Sequence, residues 1–126
     1  MDRGDLSAEI LLIAAAVSHC AEEERQLLQT LCAAAEQEAE ASLREGVSPK
    51  DCAGAYVCAC AWMAAASLEL SRGGEEFSSL RAGDMSLTLK GTGERRSRAA
   101  LLREDARAML APYAGDGTFF FRGVKG

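Results

Sequence analysis

The sequence predicts a mainly α-helical domain: a small bundle of about four helices, one β-hairpin between the third and fourth, and an extended C-terminal tail. Three observations carry this. Cys52 through Leu68 contains no charged side chain. The segments before it and near the C-terminus repeat apolar residues at helical spacing. Between them, Met85, Leu87 and Leu89 alternate with Ser86, Thr88 and Lys90 beside Gly83-Asp84, a two-residue period next to a turn.

The uncharged stretch is the centre of the prediction. Ser48 can cap a helix, Pro49 suits its first position and Gly73 suits its end. At about 100° per residue, Tyr56, Val57, Trp62, Met63 and Leu68 spread round most of the cylinder, so this helix needs cover on nearly all sides. Trp62, the only tryptophan, is the expected core anchor. A membrane span is the other use of such a stretch. Its 17 uncharged residues rise only about 25 Å against a hydrocarbon layer of about 30 Å, and they are mostly Ala and Cys. A buried central helix is the expectation.

Leu6 to about Ser18 reads as the first helix, with Ile10, Ile13, Ala14 and Val17 inward. About Ala21 to Glu45 reads as the second. Leu28, Leu31, Cys32, Ala35 and Ala39 share one face, Gln29, Glu36 and Glu40 lie opposite, and Gly46 ends it. No Gly or Pro marks the break between these two, so pattern alone leaves one continuous helix open. The hairpin spans about 76–90 and Gly91-Thr92-Gly93 is a loop. Glu94 to about Pro112 is the fourth helix, with Ala99, Leu102, Ala106, Met109, Leu110 and Tyr113 inward and Arg96, Arg103 and Arg107 in a stripe beside them.

Residues 1–115 then form the helical domain and 116–126 the tail. Within the tail, Phe119 and Phe121 would face one way from a strand and Phe120 the other. It either folds back as a third strand or docks on a partner, with Phe119, Phe120, Phe121 and Arg122 as contacts.

A chain of 126 residues fits one domain. Charge is uneven: residues 1–89 hold 15 acidic and 6 basic groups, residues 90–126 hold 4 and 8. Two such surfaces are either independently solvated or suited to unlike partners, including each other. The five cysteines, Cys20, Cys32, Cys52, Cys58 and Cys60, include no Cys-x-x-Cys spacing, so reduced, core-filling thiols are expected and no metal. The apolar run Ile10–Val17 follows an acidic start, unlike a signal peptide, and His19 before Cys20 makes a poor lipoprotein cleavage site; no membrane segment is expected.

No catalytic constellation emerges. His19 is the only histidine, and a His19-Cys20 pair has neither an orienting group nor an oxyanion site. Gly73-Gly74 and Gly91-x-Gly93 fit no phosphate-loop spacing. No enzyme activity and no cofactor are expected. Nucleic-acid binding competes better, since Arg95, Arg96, Arg98, Arg103 and Arg107 make one basic helix. A recognition helix would also carry residues aimed at base edges, and the net charge here is −5.

The order of elements, with particular residues, resembles the small head–tail connector (adaptor) proteins of tailed bacteriophages and prophages. The matching stretches are Leu27-Leu28-Gln29-Thr30-Leu31, Glu45-Gly46-Val47-Ser48-Pro49, Phe77-Ser78-Ser79-Leu80 with Gly83-Asp84 and Leu87, Leu110-Ala111-Pro112-Tyr113, and Phe119-x-Phe121-Arg122-Gly123-Val124. They cover almost the whole chain, and each is short. The resemblance favours a helix break near His19. It implies a structural role in virion assembly: a ring of about a dozen copies beneath the portal protein, extending the DNA channel and receiving the next neck or tail component, with closure through unlike faces. It implies the host cytoplasm during assembly and then the virion neck, and DNA passing through without sequence-specific contact. The alternatives are a small helical adaptor for nucleic acid or the DNA-packaging machinery, and a generic cytosolic protein-interaction domain.

Overall fold

A computed structural model describes the backbone of residues 3–80 and 85–115, with the side chains of 5–72 and 93–115. Among the described residues four α-helices follow one another: α1 (Arg3–Ser18), α2 (Arg25–Ser42), α3 (Ala53–Leu80) and α4 (Met85–Leu110). Short 3-10 turns at Glu22–Glu24, Pro49–Cys52 and Ala111–Tyr113 lead into α2, into α3 and out of α4. The central helix packs against all three others, whereas α1 and α4 make no substantial contact with each other.

The chain breaks at His19, without Gly or Pro, through a hydrogen-bonded stop. His19 takes a left-handed conformation, φ 52°. Its N–H donates to the Ala16 carbonyl at 3.4 Å, and the Cys20 N–H to the Ala15 carbonyl at 3.1 Å. These two bonds satisfy carbonyls that the helix end leaves open, which offsets the strain of positive φ on a side-chain-bearing residue. At the entry to α3, the Asp51 carboxylate accepts from the Ser48 N–H at 2.8 Å and the Ser48 hydroxyl at 3.1 Å. Pro49 opens the turn, where its missing N–H costs nothing. Gly46, at φ 89°, lets the chain reverse between α2 and this turn.

The core is built on α3. Ala59, Cys60, Ala61, Ala64 and Ala66 are fully buried. Such small side chains let neighbouring helices approach closely. The fully buried large groups are Tyr56, Leu6, Ile10, Leu28, Met63, Leu68 and Leu110. Pro49–Arg72 is long and apolar enough to cross a membrane by length and composition, and 56% of its most apolar stretch is covered within the bundle.

Two expectations are corrected here. There is no hairpin at 76–90: α3 continues through Leu80 and α4 already begins at Met85, so 76–80 and 85–90 are helical. The turn expected at Gly83-Asp84 falls on residues 81–84, which lie outside the described residues. Six residues of alternation are too few to fix a period of two, and Met, Leu and Lys are good helix formers. Second, α3 does not end at Gly73 and Gly91–Gly93 is not a loop, since all of these glycines sit inside helices. Each glycine costs about 1 kcal/mol in a helix interior, and the long pairing of α3 with α4 offsets it.

After α4 the chain returns to the α2–α3 corner. Ala114 forms an antiparallel bridge with Leu43. The Arg44 N–H donates to the Tyr113 carbonyl and the Gly115 N–H to the Ser42 carbonyl, both at 2.9 Å. Arg44 Nη1 also donates to the Pro112 carbonyl at 2.6 Å. The chain through Gly115 is therefore fixed beside the end of α2, while the tail at 116–126, with Phe119, Phe120, Phe121 and Arg122, lies outside the described residues.

Candidate interaction surfaces

Trp62 is not at the centre of the core. It is partly buried and packs against the core from its margin, whereas Tyr56 is the largest fully buried side chain. Ala55, Cys58 and Trp62 lie on one strip of α3, all partly exposed, with Gly54 open beside them. This strip is where cover on α3 is incomplete. A side chain with two apolar rings and one N–H suits such a margin better than a sealed interior.

One charged network joins all four helices. Glu24 and Arg72 meet in a bidentate pair, Nε to Oε2 at 2.9 Å and Nη2 to Oε1 at 2.7 Å. Arg72 Nη1 also donates to the Ser18 carbonyl at 2.9 Å, and Nη2 to that of His19 at 3.3 Å. The arginine thus holds the end of α1 and the start of α2 against α3. Its hydrogen bonds, helped by that from the Ala21 N–H, hold the Glu24 carboxyl well below the usual range, at about 2. Glu69, only 14% exposed, receives Arg95 at 3.0 Å, Arg98 at 3.4 Å and Arg72 at 3.8 Å. A signal for the network was present, because Glu69 and Arg72 are the first charges after the 17-residue uncharged run.

Glu36 is likewise misplaced by the helical pattern. It does not lie on the wet side of α2. Its Oε2 accepts from the Ser7 hydroxyl at 2.8 Å, and the Tyr56 hydroxyl reaches its Oε1 and its main-chain carbonyl at 3.4 Å each. Glu36 therefore bridges α1, α2 and α3, and gives the buried tyrosine hydroxyl its partners.

The arginine stripe of α4 divides. Arg103 Nη2 pairs with Glu38 of α2 at 2.9 Å. Arg96 is exposed and Arg107 partly buried. Beside them, Ser97, Ala100, Leu101, Arg103, Glu104 and Arg107 line an open groove of about 540 Å³. Leu101 is 60% exposed, and on α1 Leu12 is 69% exposed; these are the most exposed large apolar side chains among the described residues. Sequence periodicity gave no reason to single out either leucine, since both sit inside mostly apolar runs.

The cysteines are all free thiols, and Cys32, Cys52 and Cys60 are buried. Burial pushes the Cys32 thiol up to about 11 and raises Cys60 as well, which makes both poor nucleophiles. Among the described residues, no group of three or more His, Cys, Asp or Glu is placed to hold a metal ion.

The geometry is that of surfaces: a partly covered tryptophan strip, the two most exposed of four exposed leucines among the described residues, on helices without substantial mutual contact, and arginines mostly matched to carboxylates. No family model, no curated protein and no solved structure matches this chain, so its function is argued from its residues, its surfaces and the resemblance of its sequence.

Proposed function

We propose that the chain is a structural head–tail connector of a tailed bacteriophage or prophage, assembling as a ring between portal and tail components. The observation that carries this is the pair of most exposed leucines, Leu12 on α1 and Leu101 on α4, on helices that make no substantial contact within one copy. Apolar side chains exposed on two unlike surfaces suit heterologous contacts, the kind that closes rings. The resemblance supports the same role through its helix order and short residue matches. Its hairpin does not carry over, because residues 85–90 are helical. In this role the protein works in the host cytoplasm during assembly and ends in the virion neck. The portal and the next neck or tail component are its partners, and the segment with Phe119, Phe120, Phe121 and Arg122 is proposed to meet one of them.

A nucleic-acid adaptor is the weaker alternative. Arg95 and Arg98 face Glu69, and Arg103 faces Glu38. Arginines matched to carboxylates offer less to phosphates. A generic protein-interaction domain would account for the exposed leucines, but not for the residue matches to connectors.

Negative-stain microscopy of the concentrated protein, alone and mixed with its portal, tests the proposal. Rings, or density added beneath the portal, are expected. A monomer or dimer that binds DNA with a steep salt dependence and ignores the portal would contradict it.

A further inference from the structure

Resting on the ring-forming role, we infer that the contact between copies is made by α1 of one copy lying antiparallel on α4 of the next, with Leu12 seated in the groove beside Leu101. The occupant of that groove is thus a second copy of this chain.

The outer face of α1 is one stripe. Asp5, Ala8, Glu9, Leu12 and Ala16 are all exposed. At 100° per residue they fall on one side of the helix, with a large apolar group among small ones and two acids toward the N-terminus. The groove on α4 offers the counterpart: small Ser97 and Ala100 with Leu101 toward its N-terminal end, and Arg103 and Arg107 toward its C-terminal end.

An antiparallel register fits the two together. With Leu12 opposite Ala100, equal rise per residue sets Glu9 opposite Arg103 and Asp5 opposite Arg107. It sets Ala8 opposite Glu104, the one acid in the groove, so no carboxylates are opposed. Ala16 then meets Arg96 along its aliphatic stem. In the parallel register, Leu12 opposite Ala100 would carry Asp5 and Glu9 away from Arg103 and Arg107, to Gly93 and Ser97. Arg103 already bonds Glu38 within its own copy, so Glu9 would extend an existing pair rather than replace it.

The pairing joins unlike faces, so each copy keeps one free α1 and one free α4 until a ring closes. Glu36 takes no part in this contact, since it is held inward by Ser7 and Tyr56.

The test uses the full-length protein and mass photometry, with circular dichroism to verify helicity. Leu12→Ser and Glu9→Arg are changes at exposed positions and should leave helicity unchanged. Each should weaken self-association by about ten-fold or more. Arg103→Glu should do the same, and an equimolar mixture of Glu9→Arg with Arg103→Glu should recover assembly, because every contact in an alternating ring regains opposite charges. If wild type assembles and folded Leu12→Ser keeps its mass, the α1–α4 contact is wrong and the ring stands. If wild type never exceeds a dimer, alone or on its portal, the ring reading itself fails and this contact with it.

Discussion

Arg72 of α3 grips Glu24 at the start of α2 through two hydrogen bonds, 2.9 and 2.7 Å long, while donating to the Ser18 and His19 carbonyls at the end of α1 and just beyond it. One side chain thus fixes the corner where the chain reverses at a left-handed His19. The pair is about three-quarters covered, with 22% and 24% of the two side chains exposed, which places it above an ordinary surface ion pair.

This pair predicts an acid limb in stability. Folding lowers the Glu24 carboxyl from 4.5 to about 2. A lowered carboxylate contributes fully above its unfolded value, and the contribution is lost as pH falls from about 4.5 towards 2. After solvent screening it is about 1–2 kcal/mol. Chemical denaturation should show Arg72→Met destabilised by at least that amount at pH 7, since the bonds to the Ser18 and His19 carbonyls go too, with the difference from wild type shrinking as pH falls through this window. A difference that does not change with pH would mean the arginine acts only through the Ser18 and His19 carbonyls.

Tyr56, rather than Trp62, should carry the larger packing energy. Tyr56→Ala removes a fully buried ring and takes the tyrosine hydroxyl from Glu36 Oε1, and should cost about 3–5 kcal/mol. Trp62→Ala empties a partly exposed margin and should cost about 1–2 kcal/mol. Urea unfolding of both variants checks the order. A reversed order would place Trp62 at the core after all.

The glycines test the helices directly. A methyl group at Gly93 meets nothing within 4 Å, and Gly93 is inside α4. Gly93→Ala should therefore stabilise the protein by about 0.5–1 kcal/mol. Gly46 has equal space but sits at φ 89°, so Gly46→Ala should destabilise by about 1 kcal/mol. Thermal melts with opposite shifts are the expected outcome. A lower melting point for Gly93→Ala would argue for a loop at 91–93.

Much of the bundle was legible in the sequence for reasons that are local. An uncharged run from Cys52 to Leu68 has to be buried, Ser48-Pro49 begins a helix, and Leu28, Cys32, Ala35 and Ala39 repeat at helical spacing. The hairpin failed because Met85, Leu87 and Leu89 alternate over too short a span, and the pairing of two long helices overrides so weak a signal. Glu36 failed because a helical wheel gives direction without neighbours. Its angle on α2 points towards water only until Ser7 and Tyr56 are brought beside it. The Arg72 clamp joins residues 48 positions apart, and no periodicity reports such a pair.

Sedimentation velocity of the full chain over a wide concentration range tests the central claim most directly. A connector should pass from the 13.3 kDa monomer to a single large closed species, with few intermediates, as concentration rises or on adding portal. A 13.3 kDa monomer at every concentration, unchanged by portal, would contradict the proposed role.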